Sequence, residues 1–104
     1  MNTVVDPKSS EKYIERSLVE AAKSRNGLCI KLQADFFRGL PDRLCLAQDG
    51  RVAFVEVKST GKKPRPDQLI VHEKLRSLGF DVRVIDNMQT ANEFIAEFWP
   101  ISWP

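Results

Sequence analysis

Three charged residues in the middle of the chain have types and spacing that suit phosphodiester hydrolysis. Asp42 follows a Gly-Leu-Pro turn, and Glu56 and Lys58 end the segment 51–58, which is otherwise mostly Val, Ala and Phe. Because side chains alternate along a strand, Glu56 and Lys58 share one face. Charges in an apolar strand are costly unless they are paired or bound to a metal. An ion pair at a sheet edge is the plain alternative to a metal site.

The hairpin turn Gln48–Gly50 decides how close the two acids come. With three residues in the loop and the glycine in the left-handed region, Ala47 pairs with Arg51. The same register places Asp42 opposite Glu56, whereas a two-residue loop would place these acids on opposite faces of the sheet. Adjacent carboxylates repel each other, so the first register predicts either a bound cation or a protonated acid.

A pair of carboxylates with no cysteine or histidine in reach suits a hard cation, Mg²⁺ or Mn²⁺. The sole histidine, His72, is too little for a zinc site. Such an ion stabilises the charged phosphate and activates a bound water, and Lys58 can orient that water or offset the developing negative charge. The residues therefore predict phosphodiester hydrolysis.

Apolar periodicity and turn residues predict the elements that position these side chains. The predicted elements are a helix at about 11–25, strands at 28–32, 43–47 and 51–58, a helix at 67–78, a strand at 80–85 and a helix at 90–98. This order, α-β-β-β-α-β-α, predicts an α/β fold with a mixed central sheet flanked by helices. The 104 residues suit a single domain.

The remaining features of the sequence exclude several other classes. Residues 1–8 are expected to form a loose leader without a signal pattern, and no apolar run is long enough to span a bilayer, so we expect a cytoplasmic location. Cys29 and Cys45 lack CxxC spacing and are predicted to be free, buried thiols. Residues 99–104 form an apolar tail whose tryptophans need cover.

The motif Gly39-Leu40-Pro41-Asp42, followed by Glu56-Val57-Lys58 and then by Gln68 in the next helix, resembles the PD-(D/E)xK nuclease superfamily. The nearest resemblance within it is to the virus-type replication-repair nuclease (VRR-NUC) domain of the stand-alone phage type. It covers about residues 11–86. It implies a restriction-endonuclease-like core and a DNA endonuclease that depends on Mg²⁺ or Mn²⁺.

The resemblance also implies roles for individual residues. Asp42 and Glu56 would bind the metal, the Val57 carbonyl would add a ligand, Lys58 would serve the nucleophile, and Gln68 would support the site.

The first helix of the family supplies a further glutamate. Glu11 and Glu15 lie one turn apart on the same helical face. Glu11 is the preferred assignment for catalysis and metal binding, because its spacing to Ile14 fits the family pattern better. Glu15 stays open as the alternative, and either residue can instead be a solvent-facing acid of a first helical turn.

Basic side chains near the motif are predicted to contact DNA phosphates, although a solvated basic loop is the alternative. The candidates are Lys31, Arg43, Lys62, Lys63 and Arg65. Phosphate contacts position DNA without reading its sequence, and no helix shows a base-reading face. The sequence therefore favours an enzyme that selects DNA structure.

By the same resemblance, the expected partners are branched DNA, in particular a four-way (Holliday) junction, and a second copy of the chain. One candidate for the subunit contact is the apolar set Phe98, Trp99, Ile101 and Trp103, and the alternative is that it packs on its own sheet. Two alternative functions stay open. One is a nuclease for flaps or other branched DNA, and the other is a nuclease subunit or DNA-binding module that is active only in a larger complex.

Overall fold

The computed structural model describes residues 10–33 and 35–101, so the predicted leader lies outside the described residues. The elements are α1 (Glu11–Ser24), β1 (Leu28–Lys31), β2 (Arg43–Leu46), β3 (Val52–Val57), α2 (Pro66–Ser77), β4 (Asp81–Ile85) and α3 (Met88–Phe98). The predicted order α-β-β-β-α-β-α is confirmed. Helix α3 begins two residues earlier than predicted, because the Asn87 side chain caps it by accepting the Thr90 N–H at 2.8 Å.

The four strands form one mixed sheet in the order β1-β2-β3-β4. The pairs β1–β2 and β2–β3 are antiparallel, whereas β3 and β4 are parallel and are joined by the crossover helix α2. In the hairpin, Leu46 pairs with Val52, and the Ala47 N–H donates to the Arg51 carbonyl at 2.9 Å. This is the register predicted for a three-residue loop. Continued by one residue beyond β2, it brings Asp42 beside Glu56.

The alternation of side chains along β3 separates the core from the site. Ala53, Val55 and Val57 are buried in a cluster with the apolar faces of α1 and α3. Phe54 and Glu56 point to the opposite face, which α2 covers through Gln68 and His72. One strand therefore carries both the hydrophobic core and the acid of the candidate site. In the described part of the chain, no helix is long and apolar enough to cross a membrane.

The two cysteines face each other across the β1–β2 pair, with their Sγ atoms 3.9 Å apart. Both are free thiols, as predicted. Cys45 is buried, whereas Cys29 is only half-buried. The difference arises because β1 is the edge strand of the sheet.

The start of the apolar tail packs on its own chain. Trp99 is buried among Phe94 and Phe98, and its indole N–H donates to the Leu46 carbonyl at 2.9 Å. Phe98 and Trp99 are therefore not available for a subunit contact, which corrects that candidate interface. Ile101 remains 63% exposed, and Trp103 lies outside the described residues.

Replacing Trp99 by alanine should lower the free energy of unfolding by about 3–5 kcal/mol, because it removes a buried aromatic ring and leaves a cavity. The matched control, Ile101→Ala, removes an exposed side chain and should change this free energy by less than about 0.5 kcal/mol. Urea denaturation measures both values. Far-ultraviolet circular dichroism is the signal, because tryptophan fluorescence itself changes when Trp99 is replaced. Equal effects of the two substitutions would contradict the packing of the tail described above.

Candidate active site

The carboxylate of Glu56 lies at the centre of the candidate site. It is on the penultimate residue of β3, and the residue is only 1% exposed. The burial follows from the crossover helix α2, which joins the parallel strands β3 and β4 and covers Glu56 through Gln68 and His72. A charged side chain in this position needs partners that replace the lost water.

Three side chains surround the two oxygens of Glu56. Gln68 Nε2 donates to Oε2 at 3.1 Å, and Lys58 Nζ lies 3.5 Å from the same oxygen. His72 Nε2 lies 3.4 Å from Oε1. Lys58 comes from the end of the same strand, whereas Gln68 and His72 come from one face of α2, four residues apart. The crossover helix thus supplies two of the three partners.

Asp42 is fixed by main-chain groups on both sides. Its Oδ2 accepts the Val57 N–H at 2.7 Å, and its main-chain carbonyl accepts the Leu32 N–H at 2.8 Å. The preceding loop approaches α2 closely at Gly39, where a Cβ atom would lie 2.6 Å from the Asp67 carbonyl oxygen. Gly39 also has a φ of +90°, which favours glycine. The Gly-Leu-Pro-Asp motif therefore delivers the Asp42 carboxylate next to the end of β3.

The environment of Glu56 disfavours its negative charge. Burial raises the pKa of its carboxyl to about 8, and the charge and hydrogen bonding of Asp42 act in the same direction, while the Lys58 ammonium opposes them. A divalent cation between the two acids would remove this repulsion. Two carboxylates with no sulfur or imidazole ligand between them fit Mg²⁺ or Mn²⁺, which bind through one or two carboxylates and keep several waters.

No group of three or more His, Cys, Asp or Glu side chains suited to a metal occurs within residues 10–33 and 35–101. The adjacent acids Asp42 and Glu56 form a pair only, so a cation held by them would take its remaining ligands from main-chain oxygens, water or substrate. This is a typical arrangement for a hard cation whose remaining positions are taken by water and substrate phosphate.

Gln68 uses both ends of its amide. Its Oε1 accepts the Arg65 N–H at 2.9 Å, which caps the start of α2, while its Nε2 donates to Glu56. Gln68, which the resemblance gives as a supporting contact, thus hydrogen-bonds the Glu56 carboxylate directly. The amide also links the start of α2 to the buried acid.

His72 is the site residue that the sequence interpretation missed. A single histidine is too little for a zinc site, yet His72 is completely buried and contacts Glu56. Burial lowers the pKa of its imidazole, and the nearby Arg76 and Lys58 charges lower it further. The available signal was its spacing, because a residue four positions after Gln68 lies on the same face of the helix.

The two candidate acids of α1 lie in different surroundings. Glu11 is exposed in the first turn, and the described structure gives it no contact with Asp42 or Glu56. Glu15 Oε1 accepts Arg43 Nε at 2.9 Å, with the two side chains 21% and 15% exposed respectively. Of these two acids, the structure ties Glu15 to the motif region.

The predicted phosphate contacts differ in accessibility. Arg43 is engaged by Glu15 and mostly covered. Lys31, Lys62, Lys63 and Arg65 are exposed, and the last three lie in the loop that leads from β3 to α2. Arg38, which the sequence interpretation did not select, is 88% exposed and pairs with Asp67 at the start of α2, 3.3 Å away.

Comparison with solved structures identifies the type of fold. A structure described as "VRR_NUC domain" superimposes with a TM-score of 0.78, is 31% identical, and covers 86% of this chain and 97% of that chain. The fold is therefore that of a restriction-endonuclease-like nuclease domain. The sequence is also similar to a phage protein, "Putative nuclease p44" of Acyrthosiphon pisum secondary endosymbiont phage 1.

The match to the phage protein is 38% identical over 82 residues, which are 79% of this chain and 88% of that protein. No family profile matches the sequence. On the structural and sequence similarity together, the chain belongs to the VRR-NUC family of nucleases.

The raised pKa of Glu56 predicts how the stability of the metal-free protein depends on pH. The folded protein keeps this proton up to about pH 8, whereas the unfolded chain releases it near its ordinary value. Unfolding therefore releases a proton between these limits, and the free energy of unfolding should fall as pH rises from about 5 to about 8.

Glu56→Gln should remove most of this decrease, because glutamine does not titrate. The exposed residue Glu73 on α2 provides the matched control, and Glu73→Gln should leave the decrease unchanged. Urea denaturation in EDTA over this pH range measures the effect. A Glu56→Gln profile parallel to that of the wild type would contradict the assigned environment of this carboxyl.

Proposed function

We propose that this protein is a Mg²⁺- or Mn²⁺-dependent endodeoxyribonuclease that hydrolyses phosphodiester bonds in branched DNA. The observation that carries the proposal is the buried Glu56 carboxylate beside Asp42, with Lys58 3.5 Å from the same acid. Membership in a nuclease family supports hydrolysis of a phosphodiester bond, and the chemistry of the two acids supports the metal.

Asp42 and Glu56 would hold the cation, and the Val57 carbonyl would add a third protein ligand. The bound cation supplies Lewis acidity toward the phosphate and lowers the pKa of a coordinated water. Lys58, which lies at the end of β3 and is 13% exposed, is placed to orient the attacking water or to offset negative charge on the phosphate. Gln68 keeps Glu56 in position through its amide N–H group.

Glu11 keeps its proposed role as an additional acid near the metal only if α1 changes its contacts, because it is exposed in the described structure. Glu15 is the better placed alternative, since its partner Arg43 starts the strand that follows Asp42. Arg43 would then hold the Glu15 carboxylate in position and would also contact the DNA backbone.

The exposed basic side chains would hold the DNA backbone. Lys62, Lys63 and Arg65 lie between Lys58 and Gln68 in sequence, so a phosphate bound by this loop would lie close to the site. Lys31 would extend this contact from the end of β1. Contacts of this kind do not read bases, which supports selection of DNA by its structure.

Asp42→Asn, Glu56→Gln and Lys58→Ala should each reduce cleavage by at least about 100-fold, because each removes charge that acts on the reacting phosphate. Glu73→Gln should cleave like the wild type. Labelled single-stranded, duplex, flap and four-way junction DNAs with Mg²⁺ or Mn²⁺ are the substrates. Circular dichroism verifies that each variant is folded, and full activity of Glu56→Gln would refute the site.

Calorimetry with Mn²⁺ separates the roles of these residues. Glu56→Gln should lose most of the affinity for Mn²⁺, whereas Lys58→Ala should bind the ion as tightly as the wild type or slightly more tightly, since a neighbouring positive charge is removed. A loss of affinity in Lys58→Ala equal to that in Glu56→Gln would contradict the division between ligand and lysine.

We also propose that the protein acts on four-way junctions as a homodimer. The outer face of α2 and the loop before the motif expose large apolar side chains: Phe36 91%, Phe37 59%, Leu69 50%, Ile70 70% and Leu78 61%. Of these residues, Phe37, Ile70 and Leu78 line a groove of about 450 Å³. Exposed apolar surface of this kind is typical of protein interfaces. A two-fold dimer would present two sites with the symmetry of a junction.

Ile70→Glu should convert the dimer into a monomer, because it places a charge in the centre of the proposed contact. The control is Ile101→Glu, which changes a similarly exposed isoleucine outside this surface and should leave the dimer intact. Light scattering at micromolar concentration determines the mass. The Ile70→Glu monomer should cut one strand of a junction without the paired second cut, and paired cuts by a monomer would disprove the argument from symmetry.

A further inference from the structure

We propose that His72 is a positioning residue that fixes the orientation of the Glu56 carboxylate for cation binding, an inference that rests on the proposed function. It assigns a role to the sole histidine of the chain. The role is distinct from that of a metal ligand, because His72 lies behind the carboxylate, on the face of α2 that is closed to solvent.

The contacts of Glu56 separate its two oxygens. Gln68 Nε2 and Lys58 Nζ both lie next to Oε2, at 3.1 and 3.5 Å. His72 Nε2 is the only side-chain donor within hydrogen-bonding distance of Oε1 among the described residues, at 3.4 Å. A carboxylate held at one oxygen can still rotate about its last side-chain bond. A contact at the second oxygen from a different direction prevents that rotation.

The separation of 3.4 Å is long for a hydrogen bond. Hydrogen bonds to an ionised carboxylate are shorter and stronger than those to a neutral group. We therefore expect this contact to shorten when Glu56 is ionised beside a cation. Because an ionised carboxylate only accepts hydrogen bonds, His72 must then carry its proton on Nε2.

The cost of burying an imidazole here indicates that the contact matters. His72 is fully buried, and its Nδ1 has no hydrogen-bond partner within the described structure. An aliphatic side chain of similar size would fill the same space without leaving a polar atom unsatisfied. Packing alone therefore does not account for a histidine at this position, whereas a donor aimed at Oε1 does.

The position of His72 on α2 makes its contact with Glu56 rigid. Gln68 and His72 are one helical turn apart, so the same rigid element supplies a donor to each oxygen of Glu56. Their separation is set by the geometry of α2 and not by a loop. Substitution of a residue that hydrogen-bonds a metal ligand commonly changes the metal affinity by about 10- to 100-fold.

The test uses two substitutions of His72 and one control. His72→Leu removes the donor and keeps a buried side chain of similar volume. His72→Gln keeps an N–H donor at a position close to that of Nε2. Leu75→Ala is the control, because it weakens the packing of the same helix without touching Glu56. Calorimetry measures the dissociation constant for Mn²⁺, and thermal unfolding verifies that each protein is folded.

We expect His72→Leu to weaken Mn²⁺ binding by about 10- to 100-fold and to lower kcat with little change in KM for DNA. His72→Gln should recover most of the affinity. Leu75→Ala should melt at a lower temperature and bind Mn²⁺ like the wild type. Wild-type affinity in a folded His72→Leu protein would overturn the inference, and so would a loss of affinity in Leu75→Ala equal to that in His72→Leu.

The wild-type protein gives an independent measurement that requires no substitution, and it decides the question if His72→Leu does not fold. The chain has one histidine, so every imidazole ¹⁵N signal belongs to His72. The ¹⁵N chemical shifts of the ring therefore report its tautomer directly. With saturating Mg²⁺ we expect a neutral ring protonated on Nε2. A ring protonated only on Nδ1 under these conditions would overturn the inference.

The same data distinguish failure of this inference from failure of the proposed function. If Mn²⁺ does not bind to the wild type, or binds equally to Glu56→Gln, the proposed metal site is wrong. If Glu56→Gln loses Mn²⁺ while His72→Leu and wild type bind it equally, only the role of His72 is wrong.

Discussion

Burial of the Glu56 carboxylate between β3 and α2 is the constraint around which the rest of the structure is arranged. The oxygens of this acid contact Gln68 and His72 from α2, and Lys58, which directly follows β3. The hairpin then brings Asp42 beside it, which adds repulsion instead of relieving it. Such an arrangement is stabilised by a proton or by a cation, so the fold holds in place a pair of acids that is unfavourable without a positive partner.

Much of this arrangement could be predicted from the sequence because the signals are local. A three-residue hairpin turn and strict alternation along two strands determine which residues face each other, and they bring Asp42 beside Glu56 without information from distant parts of the chain. Glycine and proline positions predicted the element order in the same way. The family resemblance then supplied the expected role of each motif residue.

The parts that could not be predicted depend on how distant elements pack. Helix α2 buries Gln68 and His72 while it exposes Leu69 and Ile70, which reverses the usual relation between polarity and burial. The pattern of apolar residues therefore predicts the wrong buried face for this helix, and it gives no indication that His72 contacts Glu56. The pairing of Glu15 with Arg43 and the burial of Trp99 likewise join residues far apart in sequence.

The position of Trp99 has a consequence for how sequences of this family can vary. Its indole ring lies directly over Gly27, where even a single Cβ atom would overlap the ring and approach the Leu46 carbonyl oxygen. The turn after α1 and the residue after α3 are therefore linked by volume. In relatives that share this packing, we expect a residue with a side chain at the position of Gly27 to occur only together with a smaller residue at the position of Trp99.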